Sequence, residues 1–262
     1  MSAIANPPAA RAGLRNTELV LHLARRELAA AHRFTALGWA WPLARQLVQL
    51  GVLVLIFSSV IDLGIANFPA YVFSGIIAWN WFASGLTAAS TSLLSQRHLV
   101  FQPRLPTAVL PIVAIAVPFV DVVMAVPVLL VMAAVGGTLQ WTVVFLPVVF
   151  VVEFVLMCGF AWAFAALTVY VRDVPNLVGL ALLVAFYMTP VFYSLRAVPD
   201  RLEFVLKANP MTTVLEAVRA LTLGGAFPGP AQVAGVVVLA GVVGAAGWAT
   251  FNRMAPGFAD EL

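Results

Sequence analysis

Residues 105–171 read LPTAVLPIVAIAVPFVDVVMAVPVLLVMAAVGGTLQWTVVFLPVVFVVEFVLMCGFAWAFAALTVYV, with only Asp121 and Glu153 charged between Arg104 and Arg172. An α-helix rises about 1.5 Å per residue and bilayer hydrocarbon is about 30 Å thick, so about 20 residues make one crossing. The stretch is long enough to cross twice, and Gly136-Gly137-Thr138 is the turn between the crossings. Outward from it, residues 46–61 carry no charge between Arg45 and Asp62, and Trp39 and Trp41 extend that run backwards. Residues 63–96 are again uncharged. Residues 174–195 form a fifth run, opened by Pro175 near the first helical turn, where its missing N–H costs nothing. Residues 231–251 form a sixth. The alternation of a β-barrel strand is absent throughout. The expected fold is an all-α integral membrane protein with six transmembrane helices.

Composition agrees. Of 262 residues, 63% are hydrophobic and 10% charged, and the mean hydropathy is +1.02. A soluble domain is about 45–50% apolar and about 25% charged, and one of this size would lack polar cover for so much apolar surface. A soluble enzyme, a disordered chain and a nucleic-acid binder are excluded. The net charge of +3 reflects basic residues at the ends of apolar runs. All basic residues except Lys207 are Arg, which with the many Ala, Val and Gly points to a GC-rich bacterium. The single cysteine, Cys158, lies in an apolar run, so an intrachain disulfide is excluded. Residues 1–16 have no apolar core, and no signal peptide is expected.

Placing the N-terminus inside puts Arg11, Arg15, Arg25, Arg26, Arg33, Arg45, Arg97, Arg104, Arg172 and Arg253 on the cytoplasmic side. The short external turns at 62–67 and 136–140 then carry no basic residue, so both termini are expected in the cytoplasm. Two segments are helical without being simple spans. Asn16 or Thr17 caps a helix to about His32, with Leu21, Ala24, Leu28 and Ala31 on one face and Glu18, His22 and Arg25 on the other. We read residues 1–35 as a cytoplasmic tail plus interfacial helix, and residues 36–262 as the membrane domain. Anchoring to anionic lipid and docking to a partner are both open to this helix.

The second segment, 198–230, reads as an external re-entrant hairpin, with an external cap as the alternative. One short helix opens at Pro199-Asp200 and ends at Asn209-Pro210. Another starts at Thr213, whose spacing to Glu216 is that of a capping box, and stops at Gly224-Gly225. Their apolar faces are expected against spans five and six, with Arg201, Glu203, Lys207, Glu216 and Arg219 facing an outer mouth, because charge facing lipid is costly. Glu216 and Arg219, one turn apart, form a candidate pair.

Catalytic signatures are missing. His22, His32 and His98 do not make HExxH, no GxSxG occurs, and Lys207 lies in no P-loop, so no metal and no bound nucleotide is expected on this chain. Asp121 and Glu153 sit near mid-span without an evident cationic partner, and we read both as structural; a proton-coupled antiporter would need one to titrate. Gly241, Gly244 and Gly247 in span six permit close helix packing. Trp79 and Trp81 lie deep in span two, where aromatic faces either pack a core or stack on sugars.

Five stretches in this order resemble the transmembrane subunits of ABC-2 type polysaccharide exporters, the group that moves O-antigen, teichoic acid and related cell-wall glycans. They are Ser74-Gly-Ile-Ile-Ala-Trp79-Asn-Trp-Phe82, Val171-Arg172-Asp173-Val174-Pro175, Thr189-Pro190-Val191-Phe192-Tyr193, Asn209-Pro210-Met211-Thr212, and Glu216 with Arg219. Arg25-Arg26 followed by Leu37-Gly38-Trp39 fits as well, while Phe101-Gln102-Pro103-Arg104 departs from the usual adjacent Phe and Pro. The resemblance covers about residues 21–251. It implies a half-transporter of a bacterial cytoplasmic membrane: a homodimer docked on two copies of a separate ATPase that holds ATP and Mg2+, with a lipid-linked glycan as cargo. Arg25, Arg26, Arg97, Leu99, Val100, Phe101, Arg104, Arg172 and Asp173 would couple to the ATPase. Leu99, Val100 and Phe101 would be an apolar knob with charged rims. Trp79, Trp81, Phe82 and Tyr193 would line the substrate path, and Asn209, Pro210, Glu216 and Arg219 would form the external gate. The rival readings are an ABC-2 exporter of drugs or lipids, a secondary transporter, for which no internal repeat is evident, and a membrane-embedded glycan-processing enzyme, for which no catalytic cluster is evident.

Overall fold

The protein is described from a computed structural model, over residues 38–59, 65, 67–101, 105–195 and 198–261. Among these residues every regular element is a helix. In chain order they are α1 (Trp41–Ser59), α2 (Phe68–Ser95), α3 (Arg97–Val100), α4 (Val109–Ala116), α5 (Phe119–Val135), α6 (Leu146–Tyr170), α7 (Val174–Tyr187), α8 (Asp200–Ala208), α9 (Pro210–Leu223), α10 (Pro230–Met254) and α11 (Phe258–Glu261). Short 3-10 turns precede α1 and α6 and follow α10. The interfacial helix expected before residue 33 lies outside the described residues, as do Arg25, Arg26 and Arg104.

Among the described residues, three segments are long and apolar enough to cross a membrane: Val109–Val135, Trp141–Tyr170 and Pro230–Glu261. The first is α4 and α5 joined at Val117-Pro118, so the long apolar stretch does fold into two lengths of helix. The turn between them bears out the glycine reading, for Gly137 has φ 66°. The Asn67 side chain, itself in a left-handed turn with φ 49°, donates to Met132 O at 3.2 Å and Thr138 Oγ1 at 3.1 Å. A Cβ on Gly136 would collide with that amide. The fifth apolar run is helical only to Tyr187, where α7 ends before Thr189-Pro190. Proline lacks the N–H that would continue the ladder and disfavours α geometry in its predecessor.

α2 is the hub. It packs against α1, α4, α5, α6, α7 and α9, and Phe73, Ile76, Ile77 and Ala78 are almost fully buried in the main core. With neighbours on several sides, a helix does not need a lipid-compatible exterior, and this one carries Ser, Asn and Thr over much of its length. α6 and α10 make the most extensive helix pair. Gly159 and Gly247 lie back to back there, where a Cβ on Gly247 would strike the Gly159 carbonyl, while Gly241 and Gly244 have open space beside them. Of the span-six glycines, Gly247 therefore needs its bare Cα for this contact. Gly159, which had no marker in the repeat, faces the Val243–Gly244 backbone, where a Cβ would also collide.

A second core gathers one end of the molecule. Leu93, Leu99, Val109, Leu110, Val169, Phe251 and Phe258 bring together the ends of α2, α6 and α10, the start of α4, and α3 and α11. At the opposite end lie Asn67, the 136–140 turn and the end of α9, where Gln140 N–H and Thr142 Oγ1 donate to the Thr222 and Leu221 carbonyls.

Candidate functional site: a polar cleft and the two helix ends

A cleft of about 540 Å³ runs between α1, α2, α5 and α7, walled by Arg45, Gln46, Gln49, Asn80, Ser84, Thr87, Thr91 and Asp121 among others. Positions 80, 84, 87 and 91 follow helical periodicity, so they share one face of α2. Asn80 Nδ2 donates to Gln49 Oε1 at 2.9 Å, tying α2 to α1. Ser84 Oγ donates to Asn80 O at 2.6 Å and Thr87 Oγ1 to Ala83 O at 2.8 Å. Each hydroxyl spends its proton on its own helix, which lowers the cost of a hydroxyl in an apolar setting and leaves oxygen lone pairs for the cleft. Gln46 Oε1 is buried without a partner among the described residues. Arg45 and Asp121 both line this cleft, so the fold brings a basic and an acidic residue from different helices to one polar space. Sequence reasoning missed this stripe, although the polar spacing from Asn80 to Thr91 was its signal.

The aromatic residues proposed for the path lie on other faces of α2. Trp79, Trp81 and Phe82 are 4%, 2% and 7% exposed. Trp81 Nε1 donates to Ile115 O at 3.0 Å, and its ring packs with Phe119, Phe150 and Phe154. Trp79 packs on Phe82 and Phe186. These rings build the core, and the helix periodicity that turns Asn80 to the cleft turns Trp81 away from it. Tyr193 stands at the opposite end and donates to Tyr187 O at 3.1 Å.

At the end formed by the second core, Leu99 is 4% exposed and belongs to that core, so it is not a free knob. Val100 packs partly against the same cluster. Phe101, 53% exposed, carries the apolar projection alone, beside exposed Arg97. Arg172 and Asp173, read above as ATPase-coupling residues, form no ion pair with each other among the described residues. Arg172 Nη2 donates to Glu261 O at 3.1 Å, and the Asp173 side chain makes no cap bond. Arg172 instead fastens α11 to the start of α7, helped by Tyr170, whose hydroxyl donates to Met254 O at 2.8 Å.

At the other end the hairpin is present as two short helices, α8 and α9, with a different joint. α9 begins at Pro210, and Asn209 is its cap, with Oδ1 accepting from Met211 N–H at 3.0 Å. Thr213 lies inside the helix, because Pro210 fits the first helical turn and Asn209 fits the cap before it. Asn209 Nδ2 also donates to Thr189 Oγ1 at 2.8 Å, anchoring the joint to the end of α7. α9 packs chiefly on α2 and also on α6 and α10, so of its two expected neighbours it meets the helix of the sixth apolar run, while α2 and α6 stand where the fifth was expected.

Arg219, 6% exposed, points inward. Nη1 donates to Tyr71 Oη at 2.9 Å and Nη2 to Val191 O at 2.7 Å, with the guanidinium carbon 3.6 Å from the Tyr71 ring centroid. Tyr71 Oη in turn donates to Tyr193 O at 3.0 Å. A Cβ on Gly75 would fall 2.9 Å from both Nη2 and Val191 O. Arg219 thus pins the hairpin to α2 and the 189–193 turn instead of pairing with Glu216, its sequence neighbour one turn away. Outside it, Lys207 and Glu203 form an ion pair at 2.7 Å, and that hydrogen bond holds the lysine above its ordinary range.

Long apolar helices around a polar cleft define a helical membrane protein. The chain belongs to the ABC-2 type transporter family, whose sequence model matches residues 18–223. It is 30% identical over 206 residues to the O-antigen export system permease protein RfbA of Myxococcus xanthus, covering 78% of this chain and 79% of that one. It is 23% identical over 249 residues to a protein of the same name from Klebsiella pneumoniae, covering 94% of this chain and 95% of that one.

Proposed function

We propose that this chain is the permease subunit of an ATP-driven exporter that moves a lipid-linked polysaccharide across a bacterial cytoplasmic membrane for cell-envelope assembly. Likeness over most of its length to proteins named as O-antigen export permeases carries this reading. In it, α1, α2, α4 with α5, α6, α7 and α10 are six transmembrane helices, the second core faces the cytoplasm with both termini, and the hairpin faces outward. Two copies enclose the path and dock on two copies of a separate ATPase that binds ATP and Mg2+. The cargo is a polar polymer that hydrocarbon excludes. The hydroxyl and amide stripe of α2 supplies oxygen and nitrogen partners for sugar hydroxyls along the way. Alternation between open and closed states is driven by the partner's differential affinity for them.

Filling the cleft tests the path. Ser84→Trp should cut export at least about tenfold by narrowing the conduit, with an unchanged amount of protein in the membrane. Wild-type export by this variant would remove the cleft from the path. The docking surface is tested separately at Phe101, the exposed ring beside Arg97. Phe101→Asp places an unpaired charge in an apolar contact and should weaken co-purification of the ATPase more than about tenfold, as at a hot spot worth about 2 kcal/mol. Wild-type recovery of the ATPase would place docking elsewhere.

A further inference from the structure

At the end where the hairpin lies, away from the polar cleft, a second cleft of about 380 Å³ opens between α8, α9, the loop before α10 and the start of α10. Its size falls in the range of small-ligand sites, about 300–1,000 Å³. We propose that it binds a sugar unit of the exported glycan on the outer side of the membrane, an inference that rests on the export reading above.

The walls combine a fixed donor, an acceptor and a flat apolar face. Arg219 has both Nη atoms committed to Tyr71 and Val191, which leaves its buried Nε without a partner among the described residues. A buried donor left unmade costs about 1–3 kcal/mol. Glu216, one turn earlier on α9, also lines the cleft. Burial raises its carboxyl above the ordinary range, while Arg219 and Lys207 oppose that rise. Adjacent hydroxyls of a sugar each donate and accept, so they match a carboxylate and a guanidinium on one wall. Gly224 and Gly225, with φ 83° and 113°, turn the chain at the end of α9. Phe227 follows in the cleft wall with its ring 52% exposed. An aromatic ring of this kind suits the C–H face of a pyranose.

Charge decides the ligand class. Lys207 and Glu203 already neutralise one another, and Glu216 offsets Arg219, so the walls carry no net charge. A phosphate would meet two carboxylates; a neutral saccharide meets a balanced set of donors and acceptors.

The test uses the full chain in lipid nanodiscs, titrated calorimetrically with the water-soluble glycan released by mild acid from the cell's own lipid-linked polymer. Saturable binding is expected, weakened at least about tenfold in Glu216→Gln and in Phe227→Ala. Unchanged thermal midpoints would show that both variants fold, and inorganic phosphate should not compete. No saturable binding by the wild type, wild-type binding by both variants, or competition by phosphate would each overturn the inference. Depletion of the protein in cells reads the export proposal separately. Blocked export without glycan binding removes only the cleft, whereas undisturbed glycan traffic removes the export reading itself.

Discussion

Gly247→Leu should leave little folded protein in the membrane, while Gly241→Leu should be close to neutral. The two positions lie on one helix, six residues apart, and differ in what a side chain would meet. At Gly247 even a Cβ would strike the Gly159 carbonyl across the α6–α10 contact, whereas Gly241 has nothing within 4 Å. A flexible side chain can give way to an added methyl group, but a backbone carbonyl can do so only if two helices separate. Overpacking ordinarily costs about 1–3 kcal/mol; here a leucine would have to part the most extensive helix pair, and a loss above about 4 kcal/mol is expected. Membrane abundance and the thermal midpoint in detergent read the difference. Equal stability of the two variants would mean that α6 and α10 do not approach through these glycines.

Arg219→Met should destabilise the hairpin by about 3 kcal/mol and abolish export, because two charge-assisted hydrogen bonds disappear and the Val191 carbonyl loses its donor. Arg219→Lys should recover little of this, since an ammonium lacks the planar fork that reaches Tyr71 and Val191 together. Gly75→Ala presses on the same guanidinium from the other side. A double variant with Arg219→Met should therefore cost less than the sum of the two single changes. Protease cleavage within the hairpin of the purified protein gives the readout, with thermal unfolding alongside. Additive effects, or an Arg219→Met protein as protease-resistant as the wild type, would show that Arg219 does not pin the hairpin.

The apolar runs around Asp121 and Glu153, the glycine turn between them and the shortness of the hairpin helices were legible because length and charge spacing alone decide them. What lay hidden depended on which face of a helix meets which neighbour. A charge-free run such as 63–96 does not reveal that α2 is surrounded, or that Asn80 and Trp81, adjacent in sequence, serve a cleft and a core respectively. Leu99 and Phe101 read alike as exposed apolar residues of a loop, until α4 and α10 cover the first and leave the second bare. Arg219 looked like a surface charge because only the fold brings Tyr71 and Val191 to it, from 148 and 28 residues away. The cap of α9 was a local competition. Asn209 before Pro210 and Thr213 before Glu216 are both valid starts, and the amide anchored on Thr189 gives the first the advantage.

The most direct test of the central claim is to deplete the protein in living cells and follow the lipid-linked glycan. The export account predicts that completed polymer accumulates on the cytoplasmic face and disappears from the cell surface, and that wild-type protein restores it while Ser84→Trp does not. Normal surface glycan with no internal accumulation after depletion would contradict the account.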